Sequence, residues 1–330
     1  MDVLSALLDG PLTFSARGAF LIKSVFTPPW ALRVEDRAPL SLVTVARGEA
    51  WVVPDRSPPS PLRPGQVAVL RGPEPYTLAD HPDTRPRIWI DPDQNCRTED
   101  GQDVTETLHL GVRTWGTTPQ DHSTVLLSGT YQGRSAVAGR LLDAVPPTLV
   151  RTAGPEGRAL LDLLGAEIVT ARPGQQLFLD RLLDLLLVSV LRDWLAEAGA
   201  DAPGWYQAQA DPVVGPALDL MHRHPSAHWT VEGLAHRVGV SRAALSRRFS
   251  RLIGEPPMTY LAGWRLSLAA DLLSDPDTTV ATVARQVGYG SPFALSTAFK
   301  RVRGVSPREY RADRLAPRPA PLSSQVVLGR

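Results

Sequence analysis

The side chains best placed for chemistry in this chain are cationic, and they lie on two repeats of one short pattern near its C-terminal end. The first repeat, residues 230–253, reads TVEGLAHRVGVSRAALSRRFSRLI. Thr230 suits the cap of a helix whose apolar face is Leu234, Ala235 and Val238. Gly239 follows, where a tight turn needs positive φ; Val240 plugs the turn; Ser241 caps a second helix with Leu245, Phe249 and Leu252 inward. This is a helix-turn-helix pattern. Its second helix turns Arg242, Ser246, Arg247 and Arg251 outward, as a helix that reads a DNA groove must. The pattern recurs 49 residues later, from Ala235 to Ala284. In residues 279–302, TVATVARQVGYGSPFALSTAFKRV, Val283, Ala284 and Val287 match the first helix, Gly288 and Tyr289 the turn, and Ser291 the cap. Leu295, Phe299 and Val302 point inward, and Lys300, Arg301 and Arg303 gather at the helix end.

Other elements must hold these two units. Between them Tyr260, Leu261, Trp264, Leu268, Leu272 and Leu273 recur at helical spacing, bounded by Pro256-Pro257 and Pro276. A helix of ~17 residues there spans ~25 Å, the scale needed to keep two reading helices about one DNA turn, roughly 34 Å, apart. Charge follows the same division. The whole chain carries 35 basic and 34 acidic residues, a net +1. Residues 1–210 hold 19 basic and 25 acidic side chains, a net −6, whereas residues 211–316 hold 14 and 9, a net +5. A basic helical half joined to an acidic one points to nucleic acid as the partner of the C-terminal half.

The N-terminal half has another texture. Short β-prone runs at 19–26, 40–45, 50–53, 67–70, 87–90, 107–112 and 124–127 are separated by Pro and Gly, the pattern of a sandwich or barrel. Pro75, Pro82, Pro86 and Pro92 belong at strand ends or in loops. Residues 155–199 switch to helical period, broken at Arg172-Pro173-Gly174, and form a hairpin with a wide apolar stripe that packs on the β region, forms a dimer interface, or does both. The fold class is therefore α+β. The expected division is a β-barrel over 1–150, a helical hairpin over 151–200, a linker over 201–211, an all-α domain over 212–316 and a disordered tail over 317–330. The longest uncharged apolar run, residues 185–191, is far short of the roughly 20 residues that span a bilayer, and no basic n-region precedes the first apolar residues. The expectation is a cytoplasmic protein with no membrane partner. Cys96 is the single cysteine, which excludes an intrachain disulfide and multi-cysteine metal sites.

The repeated units, the spacer helix and the stretch GYGSPFALSTAFKRVRGVSPREYR resemble the DNA-binding domain of AraC/XylS-type transcriptional regulators. The signature is carried by Phe293, Ser296-Thr297, Phe299-Lys300, Gly304, Ser306-Pro307 and Tyr310-Arg311. Thr297 stands where many members have arginine, which implies a less sequence-specific second helix. The resemblance implies base-facing positions at Ala243, Ser246 and Arg247 in the first unit and at Pro292, Phe293, Ser296 and Thr297 in the second. Arg247 is the foremost, because a guanidinium bonds guanine O6 and N7 in bidentate fashion. Arg242, Arg248, Arg251, Lys300, Arg301 and Arg303 are the phosphate-contact candidates.

Upstream, LRPGQVAVL at 62–70 resembles the strand-turn element of a cupin barrel, with Gln66 in place of the usual aspartate; residues 126–131 and 141–147 resemble segments of a cupin-type sensor. The barrel region lacks the H-x-H pair of metal-binding cupins, Tyr76 stands near the place of the later histidine, and His81, His109 and His122 are scattered. The expectation is no metal, no cofactor and no catalytic site. A cysteine-based alkyltransferase, which also joins such a DNA-binding domain to a reactive thiol, is disfavoured by Asn95-Cys96-Arg97, and the acidic surroundings of Cys96 raise its pKa and blunt it as an oxidant or metal sensor. Trp30, Trp51, Tyr76 and Trp89 are candidates to line an apolar effector pocket. The expected partners are double-stranded DNA, a small-molecule effector, a second copy of the chain, and RNA polymerase if the regulator is an activator.

Overall fold

The structure is a computed structural model that describes residues 20–131, 135–199 and 202–315. The tail from 317 and the first residue of the expected linker, Asp201, lie outside the described residues. Two compact units emerge, each described by itself: one from 20–131 and 145–194, the other from 135–144 and 195–315.

The first unit is the β half. Its strands are β1 (Phe20–Phe26), β2 (Ala31–Val34), β3 (Leu40–Arg47), β4 (Ala50–Pro54), β5 (Ser60–Leu62), β6 (Gln66–Arg71), β7 (Tyr76–Ala79), β8 (Ile88–Ile90), β9 (Cys96–Thr98), β10 (His109–Gly111), β11 (Thr114–Gly116), β12 (Thr124–Tyr131) and β13 (Thr148–Thr152). They form a seven-stranded sheet ordered β10-β11-β1-β12-β3-β6-β13 and a six-stranded sheet ordered β5-β4-β7-β2-β8-β9. Phe26, Leu32, Val52, Leu78, Trp115 and Leu126 share one buried cluster. Each of the seven expected runs contains a strand, though in 107–112 only His109–Gly111 is extended, and the four prolines lie outside strands. The barrel's last strand, β13, runs to Thr152 beside β6, two residues past the expected boundary.

The helical hairpin lies past that strand, as α2 (Pro155–Glu167) and α3 (Gln175–Ala198), with Gly174 at φ +79° between them. Within the β unit α3 packs on β12. Gly129 makes the room: a Cβ there would lie 2.6 Å from Cδ2 of Leu183. The packing reading of the apolar stripe therefore holds, while Leu163, Val169, Leu177, Phe178 and Leu185 stay exposed.

The second unit is helical. It contains α1 (Ala136–Leu142), which precedes the hairpin in sequence, then α4 (Gly204–Gln207), α5 (Val214–Arg223), α6 (Val231–Arg237), α7 (Arg242–Ile253), α8 (Pro257–Leu272), α9 (Val280–Gln286), α10 (Pro292–Arg303) and α11 (Pro307–Leu315). The spacer helix α8 has 16 residues and is apolar on more than one side because it serves two cores. Tyr260 and Trp264 meet His222 of α5, with the His222 Nε2 to Tyr260 hydroxyl distance 2.9 Å and the imidazole 4.1 Å from the Trp264 ring. Phe249 of α7 stands edge-on to Tyr260. Two turns on, Leu266, Ala269, Ala270 and Leu273 join Val283, Ala284, Leu295 and Phe299 of α9 and α10. Val302, read as inward, is 58% exposed, because the last turn of α10 runs past that cluster.

The sequence reading gave no hint of α1. Its cap comes from a residue 135 positions away: Asp271 of α8 accepts from Ser135 Oγ at 2.8 Å and from the N–H groups of Ala136 at 2.6 Å and Val137 at 3.2 Å. Asp271 is 3% exposed. Burial pushes its carboxyl up, and these three donors pull it down. Asp271→Ala leaves them buried and unsatisfied, an expected loss of about 1–3 kcal/mol. Urea unfolding of the full chain measures that loss, and hydrogen exchange should show the amides of 136 and 137 losing protection first.

Candidate DNA-binding interface

Each reading helix is set by the same local devices. Thr230 Oγ1 accepts from the N–H of Gly233 at 3.0 Å and starts α6; Ser241 Oγ accepts from Ala244 at 3.2 Å and starts α7. In the second unit Thr279 accepts from Thr282 at 3.1 Å, and Ser291 from Ala294 at 3.1 Å. Four hydroxyl caps at equivalent positions fix where the helices begin. The turns match as well: Gly239 has φ +74° and Gly288 +81°, and the backbone N–H of Val240 bonds Ala235 as that of Tyr289 bonds Ala284. Gly254 and Gly304, at φ +87° and +78°, end α7 and α10.

The outward faces carry most of the expected residues. Arg242, Ala243, Arg247 and Arg251 are exposed on α7, with Ser246 half-buried between them. On α10 Pro292, Phe293 and Thr297 are exposed and Phe293 stands 80% open, while Ser296 donates its hydroxyl to the Pro292 carbonyl at 2.8 Å. Lys300, Arg301 and Arg303 are exposed at the end of α10, and Arg303 also reaches Ser267. Arg248 differs. Its Nε lies 2.6 Å from Asp211 Oδ2, and that carboxylate caps α5 through the N–H groups of Val213 and Val214. A guanidinium held this way ties α7 to the start of α5, so Arg248 has a structural partner where a phosphate was expected. Arg265 and Arg311 likewise hold loop carbonyls, those of Pro225 and Ala227 and those of Leu273 and Thr278. The basic excess of this half is thus partly structural.

The β unit holds a partly open cavity of about 90 Å³ between its sheets. Of the four aromatic residues expected to line it, only Tyr76 does, together with Trp115. Trp30 stacks on Phe26 in the core at 5.4 Å. Trp51 lies between Ala50 and Val52, and Trp89 between Ile88 and Ile90; in both strands the flanking residues face the core, so alternation turns each indole away. The cavity's polar lining was not visible in sequence: Asp36, Gln94, Cys96, His109, Arg113, Ser128 and Thr130. Burial, aided by Asp103 and Asp91, pushes the Cys96 thiol up to about 12. The thiol therefore stays protonated at neutral pH. Alkylation of Cys96 by iodoacetamide at pH 8 should run about a hundredfold slower, or more, than in the urea-unfolded chain; mass spectrometry over time checks this.

Comparison with known proteins fits both halves. A cupin family model matches residues 2–196, and a helix-turn-helix domain model matches residues 234–313. An AraC-like transcription regulator of Streptomyces lividans is 34% identical over 287 residues, 86% of this chain and 90% of the relative. The chain belongs to the AraC-like transcription regulators. The regulator is also 32% identical to the AraC-like transcription regulator of Streptomyces antibioticus, again over 86% of this chain and 90% of the relative. Its helical half is similar to the crystallised DNA-binding domain of AdpA in complex with a target DNA, at 37% identity, covering 33% of this chain and 98% of that one, with a TM-score of 0.32. These relatives are DNA-binding regulators and not enzymes. Among the described residues no helix is long and apolar enough to cross a membrane.

Proposed function

We propose that this DNA-binding regulator recognises a specific sequence through both helix-turn-helix units and answers to a small molecule held in the barrel. The observation that carries the first part is the duplication. Two reading helices with the same hydroxyl cap, the same glycine turn and open outer faces flank one buried spacer helix of 16 residues. In the first unit Arg247 reads guanine, with Ala243 and Ser246 beside it, and Arg242 and Arg251 hold phosphates. In the second, exposed Phe293 suits apolar contact with a thymine methyl, Pro292, Ser296 and Thr297 complete the base-facing set, and Lys300, Arg301 and Arg303 hold phosphates.

The cavity between the sheets of the β unit supports effector control. The exposed apolar residues of the hairpin, Leu177, Phe178 and Leu185 among them, support a homodimer. A cytoplasmic DNA-binding protein of this kind meets RNA polymerase if it activates. Selection of bound duplexes from a random pool tests sequence specificity. A recovered motif with two recognition blocks about one helical turn apart supports the reading. Uniform recovery without a motif overturns it in favour of a non-specific architectural protein.

A further inference from the structure

Each helix-turn-helix unit is entered through a short loop, residues 224–229 before α6 and 273–278 before α9. Each loop is gripped by an arginine from the helix that follows its reading helix. Arg311 of α11 holds the second: its Nε donates to the carbonyl of Leu273 at 3.1 Å and its Nη2 to that of Thr278. Arg265 of α8 holds the first: its Nε donates to the carbonyl of Pro225 and its Nη2 to that of Ala227, both at 2.7 Å. A planar guanidinium forked over two carbonyls fixes the tilt of what it holds as well as its position. The held loop is stiff in its own right. The N–H of Ala227 donates to His224 at 3.1 Å, that of Trp229 to Ala227 at 2.8 Å, and the Trp229 indole to His224 at 2.9 Å.

The first loop also has a neighbour from the other helix-turn-helix unit. Pro225 and Ser226 rest against the turn between α9 and α10, so closely that a Cβ on Gly288 would lie 2.8 Å from Ser226 Cα and 3.0 Å from the Pro225 carbonyl oxygen. The next turn residue, Tyr289, feels the Arg265 charge. This bearing is narrow: beside it a cleft of about 310 Å³, lined by Ser226, His228, Arg285 and Tyr289 among others, stands open. Arg265 therefore presses a loop of the first helix-turn-helix unit onto the turn of the second. The contact is a brace alongside α8, which otherwise links the two cores as a single rod. A helical rod flexes. A tilt of roughly 8° acting over the ~24 Å of a 16-residue helix moves one reading helix by ~3.4 Å, the rise of one base pair.

We infer that Arg265 is a specificity-determining positioning residue: by locking the angle between α7 and α10 it sets the spacing at which the two DNA blocks are read. This rests on the two-block reading above and adds to it. Arg265 acts on DNA only through the loop 224–229 and the Gly288 turn, so it governs the distance between the blocks and not the bases within either.

Gel-shift titrations of the full-length regulator test this, on duplexes that carry the two selected blocks with the spacer lengthened or shortened one base pair at a time. Wild type should favour one spacing over its neighbours by about tenfold, as a rigid link between two binding modules does. Arg265→Met, which keeps the stem and removes the fork, should cut that preference to about threefold or less, while its affinity for duplexes with one block scrambled stays within about twofold of wild type. Arg265→Lys, which keeps the charge without the fork, should retain part of the preference. Arg311→Met is the control: it loosens a loop within the second helix-turn-helix unit, and should lower the melting temperature while leaving the spacing preference sharp. Melting temperatures show which variants fold, and if Arg265→Met does not, Arg265→Lys decides. A folded Arg265 variant of wild-type sharpness, or equal flattening by Arg311→Met, overturns the brace. A wild type indifferent to spacing overturns it too and leaves two-block recognition standing. Recovery of no two-block motif overturns that underlying reading and the brace with it.

Discussion

Replacing Arg247 by alanine is expected to weaken binding to the selected DNA site by about 1–3 kcal/mol, roughly 5- to 160-fold, and to relax discrimination at one base pair. Arg247 is exposed on α7, two residues from buried Leu245 and two from buried Phe249, and its removal leaves both in place. Thermal stability should therefore stay within about 0.5 kcal/mol of wild type. Arg251→Ala provides the contrast. Loss of a phosphate contact weakens all sequences alike and lowers the salt dependence by about one unit of slope. Gel-shift titrations on the selected site and on a scrambled duplex, at two salt concentrations, separate the two behaviours. A footprint and affinity unchanged in Arg247→Ala would remove that residue from base reading.

The second large effect concerns the paired turn glycines, which differ in what surrounds them. At Gly239, with φ +74°, an added Cβ meets nothing within 4 Å. Gly239→Ala should cost only the left-handed conformation, about 1–2 kcal/mol. At Gly288, with φ +81°, the same Cβ would lie 2.8 Å from Ser226 Cα, 2.9 Å from its carbonyl oxygen and 3.0 Å from that of Pro225. Backbone cannot swing aside as a side chain does, so overpacking adds about 1–3 kcal/mol more. The expected total is about 2–5 kcal/mol. Denaturant unfolding of the two alanine variants measures the difference. Equal losses at the two sites would show that the loop 225–226 yields freely.

The helix-turn-helix units were legible because everything that makes them is local. Ser241, Gly239, Leu245 and Phe249 lie within one short stretch, and the repeat at Ser291, Gly288, Leu295 and Phe299 doubles the signal. The longer strands could be read for the same reason. What escaped depends on distant partners or on a choice of face. Helix α1 is held by Asp271, and a seven-residue helix without its own cap leaves little periodicity to see. The indoles were misjudged because AWVV and IWI are apolar on both faces, so composition cannot say which face meets the cavity. Arg113 and Asp36 reach the cavity from chain reversals, Arg113 at φ +48°, where no alternation governs direction. Arg248 looked like its neighbours on α7; only the fold brings Asp211, 37 positions away, against it.

The helix capped by Asp271 bears on how separable the two halves are. The linker after α3 suggests a β half and a DNA-binding half joined once, as exchangeable cassettes. Residues 135–144 instead belong to the helical unit, although they fall between β12 and β13 of the β unit's sheet. Among the described residues the chain passes from one unit to the other three times. A DNA-binding half cut out at the linker carries a buried Asp271 stripped of all three of its donors, and a β half cut there keeps a helix with no cap. Grafting this β half onto a foreign DNA-binding half would therefore need an aspartate at the position of Asp271 to receive the helix.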